Sequence, residues 1–214
     1  MGQWKSNFPS WGPAWAAVRG LCSTADGDAV LMSPPGGGTA PQYVATWPGQ
    51  DTTRVAGDAA ARRGARLTLV TEDATEATGF AVSQGLTALS RLALLTGDPA
   101  DLAQTPQLPE GAEISLARLP DATAVEISAF GETVALGRLA VGAGCAVFGG
   151  LDIRRPDPDH TMESAILAAL SYQSSVLDIP VVLTPVLPKS ALWYRGQGWS
   201  PAADILTFMR TRDA

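Results

Sequence analysis

Residues 146–155, AVFGGLDIRR, open the stretch that decides the fold, and TMESAILAALSYQSSVLD (161–178), PVVLTPVLP (180–188) and KSALWYRGQGWSPAADILTFM (189–209) complete it. The first and third segments are short, apolar runs of strand type. In the second, Met162, Ala165, Ile166, Ala169, Leu170 and Val176 recur at three- and four-residue spacing, which predicts a helix with one apolar face for a sheet. A shorter helix ahead of Gly198 and a last strand follow, so the order is strand, helix, strand, helix, strand. Adjacent Gly149 and Gly150 predict a bulge or a close backbone approach. Asp152 falls on the face opposite Leu151 and Ile153.

This order, with Trp193-Tyr194 just ahead of Gly198-Trp199, resembles the second half of the GCN5-related N-acetyltransferase family. Its last helix is usually written Asn-x-x-Ala-x-x-Leu-Tyr-x-x-x-Gly-Phe; here Lys189 and Ser190 stand near the Asn. The resemblance covers residues 112–209 well and the first half faintly. It implies an α/β (α+β) fold, an acyl-CoA N-acyltransferase-like mixed sheet flanked by helices. It also implies acetyl-coenzyme A as cofactor and direct transfer of the acetyl group to a small amine.

The resemblance further implies roles for single residues. Tyr194 would protonate the departing thiolate, although a packed tyrosine with a wet hydroxyl is the other reading. Asp152 is a candidate base for the amine, beside the reading of an ordinary solvated carboxylate. The backbone at Leu151 and Ile153 would accept the pantetheine arm. The family holds the diphosphate on Gln/Arg-x-x-Gly-x-Gly/Ala, where glycines admit the phosphates to the free N–H groups of a helix start.

Setting Ser164-Ala165-Ile166-Leu167 on the family's small-small-Leu-Leu helix start puts Pro158 at the Gln/Arg position and Thr161 and Glu163 at the two glycines. Arg154, Arg155, Thr161 and Ser164 are then the diphosphate candidates, with the arginines clamping the phosphates in place of backbone. In the competing reading Asp157 or Asp159 caps the helix, Glu163 complements its positive end, and nothing binds there. The functional alternative is a non-catalytic scaffold of this fold, or a ligand- or protein-binding module, that has lost the loop.

An internal repeat is also visible. Sliding the first half by 113 residues puts Leu69-Val70-Thr71 on Val182-Leu183-Thr184, Phe80 on Trp193, and Gln84-Gly85 on Gln197-Gly198. Ala81 falls on Tyr194, so only the second half has a candidate acid. The expected division is a degenerate half over 1–97, a Pro/Asp/Gly-rich linker over 98–111 and a second half over 112–214. Two such sheets would pack or pair edge to edge. PDATAVEISAFGE (120–132) stands where the family places the two helices that shape its acceptor pocket, and reads as a bare connection.

Composition bounds the rest. A chain of 214 residues that is 46% apolar can bury a proper core, and its net charge of −6 disfavours nucleic acid and anionic membranes as partners. Two cysteines and one histidine suit reduced thiols and argue against a His/Cys zinc site. No segment reaches the roughly 18 apolar residues of a membrane span, and the chain is expected to be cytoplasmic and bacterial, with a homodimer allowed. Met1-Gly2 formally starts a myristoylation pattern, and SPPGGGTAPQ (33–42) resembles a phosphate loop only superficially, lacking Lys-Ser/Thr.

Overall fold

The structure, a computed structural model, describes residues 3–37, 40–104 and 108–210. Residues 105–107 of the expected linker, Met1-Gly2 and part of the 33–42 loop lie outside them. After a helical turn, α1 (Gln3–Ser6), helix α2 (Phe8–Val18) leads into β1 (Cys22–Asp26), β2 (Ala29–Ser33) and β3 (Gln42–Trp47). Then come α3 (Thr52–Ala61), β4 (Arg66–Thr71), α4 (Ala74–Ser83), β5 (Leu86–Gly97) and the short α5 (Pro99–Leu102). The meander β6 (Ala112–Arg118), β7 (Thr123–Ala129), β8 (Glu132–Gly142) and β9 (Cys145–Ile153) follows. The chain ends with α6 (Thr161–Val176), β10 (Val182–Val186), α7 (Ala191–Gly196) and β11 (Ser200–Arg210).

All eleven strands form one mixed sheet in the order β1-β2-β3-β4-β11-β5-β10-β9-β8-β7-β6. At its centre the strands that follow α4 and α7 have exchanged places. β11 lies between β4 and β5, antiparallel to both, and β5 in turn pairs with β10. In this order β5 and β11 are each paired on both sides, so neither is a sheet edge.

Alternation along each strand divides the core between two faces. On one face lie α1, through Trp4, and α2, whose Phe8, Trp11 and Trp15 pack against Val30, Val44, Leu94, Val147 and Ile205. Burial of those three aromatics contributes about 2–3 kcal/mol each. The other face carries α3 and α4 over β3, β4 and β11, and α6 and α7 over the second repeat. Most residues of α2 are buried, so it is a central element of the core.

Residues 120–132, read as a connection, contain β7: Val125 and Ile127 alternate into the core under α6. The short Pro- and Gly-flanked run hid a strand whose partners, β6 and β8, make its pattern meaningful only in pairs. Asp51 stands at the α3 N-cap, but its carboxylate accepts from the backbone N–H of Asp28 and makes no cap bond. No described helix is long and apolar enough to cross a membrane.

Candidate functional site

The two parallel strand pairs of the repeats behave differently. β3 and β4 pair along six residues, from Gln42 with Arg66 to Trp47 with Thr71. β9 and β10 pair only at Ala146 with Val182 and Val147 with Leu183. Beyond these the strands part, and residues 148–153 face 184–186 with no ladder between them. At the parting point Thr184 is fully buried, and its Oγ1 has no hydrogen-bond partner among the described residues. Its counterpart in the first repeat, Thr71, donates to the Asp73 carbonyl and accepts from the Asp73 N–H. There the gap is closed, and Trp47 stacks on Phe80 at 4.3 Å.

The start of α6 is already occupied. His160 takes a left-handed backbone (φ 53°), which swings the preceding loop back over the helix end. The Asp157 carboxylate accepts from the N–H groups of Met162 and Glu163 at 3.0–3.2 Å. These are donors an anion would need. Of the two candidate caps, Asp157 is the one in contact.

Tyr194 sits on α7 where the motif expects it, but its ring is 1% exposed and its hydroxyl donates to Oε1 of Glu163 at 2.6 Å. The other oxygen, Oε2, lies 2.8 Å from Nδ1 of His160, and the His160 ring stacks on Trp193 at 4.3 Å. The result is a chain of contacts that fastens α7 to the start of α6. Burial first, then the Glu163 carboxylate, pushes the Tyr194 phenol well above the ordinary tyrosine range. Glu163 is the residue that sequence reasoning undervalued; a carboxylate at a glycine position was the available signal.

The other candidates separate into three groups. Thr161 and Ser164 line a cavity of about 270 Å³ between α5, α6 and α7, with Leu167, Trp193, Gln197 and Trp199. Leu151 and Ile153 pack against the core beneath α6. Asp152 and Arg154 pair with each other at 3.0 Å, and Arg155 pairs with Glu132 at 3.0 Å, all on the surface. The arginines are thus engaged with carboxylates, away from the Asp157 cap contacts. The bulge falls one residue later than the glycine pair: Gly149 stays in register with Arg138, and Gly150 and Leu151 stand opposite Gly137. The element that approaches them is α2: a Cβ on Gly149 would lie 2.8 Å from Val18 Cγ2. Among the described residues, no group of three or more His, Cys, Asp or Glu could hold a metal.

No family model matches this sequence, and no curated protein matches it. Solved structures do. The chain is similar to a GCN5-related N-acetyltransferase from Kribbella flavida, with 19% identity, TM-score 0.70 and coverage of 97% of this chain and 95% of that one. It is also similar to a tandem GNAT protein from the clavulanic acid biosynthesis pathway (16% identity, TM-score 0.59, 84% and 77% covered). A GCN5-related N-acetyltransferase-like protein from Streptococcus suis aligns with 13% identity, TM-score 0.59, and 97% and 95% covered. The chain has the divergent GCN5-related N-acetyltransferase fold, an acyl-CoA N-acyltransferase-type mixed sheet flanked by helices.

Proposed function

We propose that this protein is an acyl-thioester-dependent N-acyltransferase, passing an acetyl group from acetyl-coenzyme A to a small amine. The observation that carries this reading is the opening between β9 and β10, two residue pairs after the strands meet. Facing strand edges without a ladder offer N–H and C=O groups to an arm built of amides, and the unpartnered Thr184 hydroxyl adds one more polar contact. The arm fits this chain. The diphosphate does not: Thr161 and Glu163 stand at the glycine positions and the Asp157 carboxylate holds the N–H groups.

In this reading Tyr194 works as the latch between α6 and α7 rather than as the acid. Its proton is directed at Glu163, and a phenol made less acidic by burial and a neighbouring carboxylate gives up that proton at a cost. No protein acid is required at the thiol, because a thiol pKa near about 8.5 lets water protonate it.

A second reading, a non-catalytic protein of the same fold, is favoured by the same two contacts, Asp157 with α6 and Tyr194 with Glu163. The test is calorimetric titration of the full chain with acetyl-coenzyme A, followed by an assay for free thiol on adding a panel of primary amines. Binding with amine-dependent thiol release supports the transferase. Binding without release supports the non-catalytic protein, and no binding at millimolar cofactor ends the acyl-transfer reading.

A further inference from the structure

On the α2 face, a pocket of about 280 Å³ gathers two guanidinium groups over a polar floor. Arg19, just past the end of α2, and Arg66, at the start of β4, stand at its rim. Gln42, Ser90 and Thr207 form part of the lining, and none of the lining residues carries a carboxylate. The floor is pre-ordered: Gln42 Nε2 donates to Thr68 Oγ1 at 2.7 Å, and Thr68 Oγ1 lies 3.0 Å from Thr207 Oγ1. Arg138 borders the pocket through Gly150, whose added Cβ would meet its Cδ at 3.2 Å. Among the described residues, the buried Arg138 Nε has no hydrogen-bond partner, and its Nη1 makes a long contact, 3.4 Å, to the Val18 carbonyl.

Among the described residues, none of these three arginines has an ion pair, in a protein of net charge −6. Arg54, Arg91, Arg154 and Arg155 do have carboxylate partners. Arg19 is an exposed residue whose guanidinium is still partly covered, 4.8 Å from the Trp15 ring centre and near Met32 Sδ. Partial burial, and then the charge of Arg66, hold its pKa below the usual arginine value. Like charges held together without a counterion cost free energy, and an oxyanion between them would relieve that cost while offering the acceptors that planar guanidinium donors match.

We infer that this pocket binds the oxyanion group, carboxylate or phosphate, of a small molecule. The pocket reaches Gly149 and Gly150 of β9 and Pro185 of β10, so the opening between those strands gives onto it. If the acyl-transfer reading holds, on which this extension alone rests, the amine acceptor carries an anionic group seated on Arg19 and Arg66.

The experiment is a heat titration of the full chain at low salt, without acetyl-coenzyme A, using inorganic phosphate and glutarate, with glutaramide as the uncharged control. At least one anion binds, glutaramide does not, and Arg19→Gln and Arg66→Gln each weaken binding about tenfold or more, as does raising the salt. Phosphate alone or glutarate alone identifies the source of the oxyanion. The unliganded Arg66→Gln protein melts no lower than wild type, since the change removes a like charge; an arginine kept only for structure would melt lower. Absence of binding by either anion at about 10 mM, or binding unaltered in both variants, overturns the inference. Because acetyl-coenzyme A is left out, failure of the acyl-transfer reading leaves this result standing, and the reverse.

Discussion

Replacing Asp157 separates the two things its carboxylate does. It accepts from the Met162 and Glu163 N–H groups at the start of a 16-residue helix. It also puts a negative charge where a diphosphate would sit. Asp157→Ala removes both. Loss of an N-terminal cap costs about 0.5–2 kcal/mol, and loss of a carboxylate at the positive end of the helix dipole a further 0.3–1 kcal/mol or so. For a chain of this length, 1 kcal/mol moves the melting temperature by roughly 2–4 °C, so a drop of about 2–12 °C is expected in a thermal melt.

Affinity for acetyl-coenzyme A should move the other way. A unit charge about 5 Å from a phosphate costs on the order of 3 kcal/mol at an effective dielectric of 20, which bounds the gain near a hundredfold; solvation reduces it. Asp157→Asn keeps an acceptor for the N–H groups and removes the charge, so it should gain affinity with a smaller loss of stability. The assays are a thermal melt and a calorimetric titration on each variant. A protein that melts unchanged in Asp157→Ala refutes the cap. Affinity that stays the same in both variants refutes the claim that this carboxylate obstructs the diphosphate.

Other residues give independent checks. Tyr194→Phe removes the hydroxyl that donates to Glu163 at 2.6 Å; a charge-assisted bond of this kind is worth about 1.5–3 kcal/mol, measurable by urea denaturation. Thiol release, if present, should fall less than about tenfold, under roughly 1.4 kcal/mol of transition-state stabilisation; a loss of a thousandfold would return the acid role to Tyr194. Gly149→Ala should destabilise by about 1–3 kcal/mol, because its Cβ would meet Val18 Cγ2 at 2.8 Å, and a double-mutant cycle with Val18→Ala should recover part of the loss. The Cys145 thiol is buried and its pKa is raised from 9.0 to about 11 by that burial. Iodoacetamide at pH 8 should therefore label the exposed Cys22 first, by mass spectrometry. The unfolded chain loses the Cys145 proton at lower pH than the folded one, so this group's contribution to stability falls as pH rises from about 9 towards 11.

The sequence made the second repeat legible because its signals are local. The periodic face of α6, the aromatic pair before Gly198 and the double glycine of β9 all work within a few residues of themselves. The exchange of β5 and β11 was hidden for the opposite reason. Both are long strands, and β11 meets β4 and β5 across more than a hundred residues of sequence, so nothing local decides between neighbours. Loop chemistry was half legible: three acidic residues near the α6 start announced a cap, while the choice of Asp157 over Asp159 depends on the left-handed turn at His160. Arg154 and Arg155 looked like phosphate ligands beside one another in sequence; consecutive residues of an extended segment diverge, and each met a carboxylate on its own side.

The central claim is that the opening between β9 and β10 takes the acyl-thioester arm while the helix start beside it no longer takes the diphosphate. Competitive titration of the full chain with acetyl-coenzyme A and with S-acetylpantetheine, which lacks the diphosphate, tests both halves of that claim at once. Dissociation constants within about tenfold of each other are expected, since the two ligands share the arm and the obstructed loop adds little. A preference for acetyl-coenzyme A of a hundredfold or more, or no binding of either compound at millimolar concentration, would contradict it.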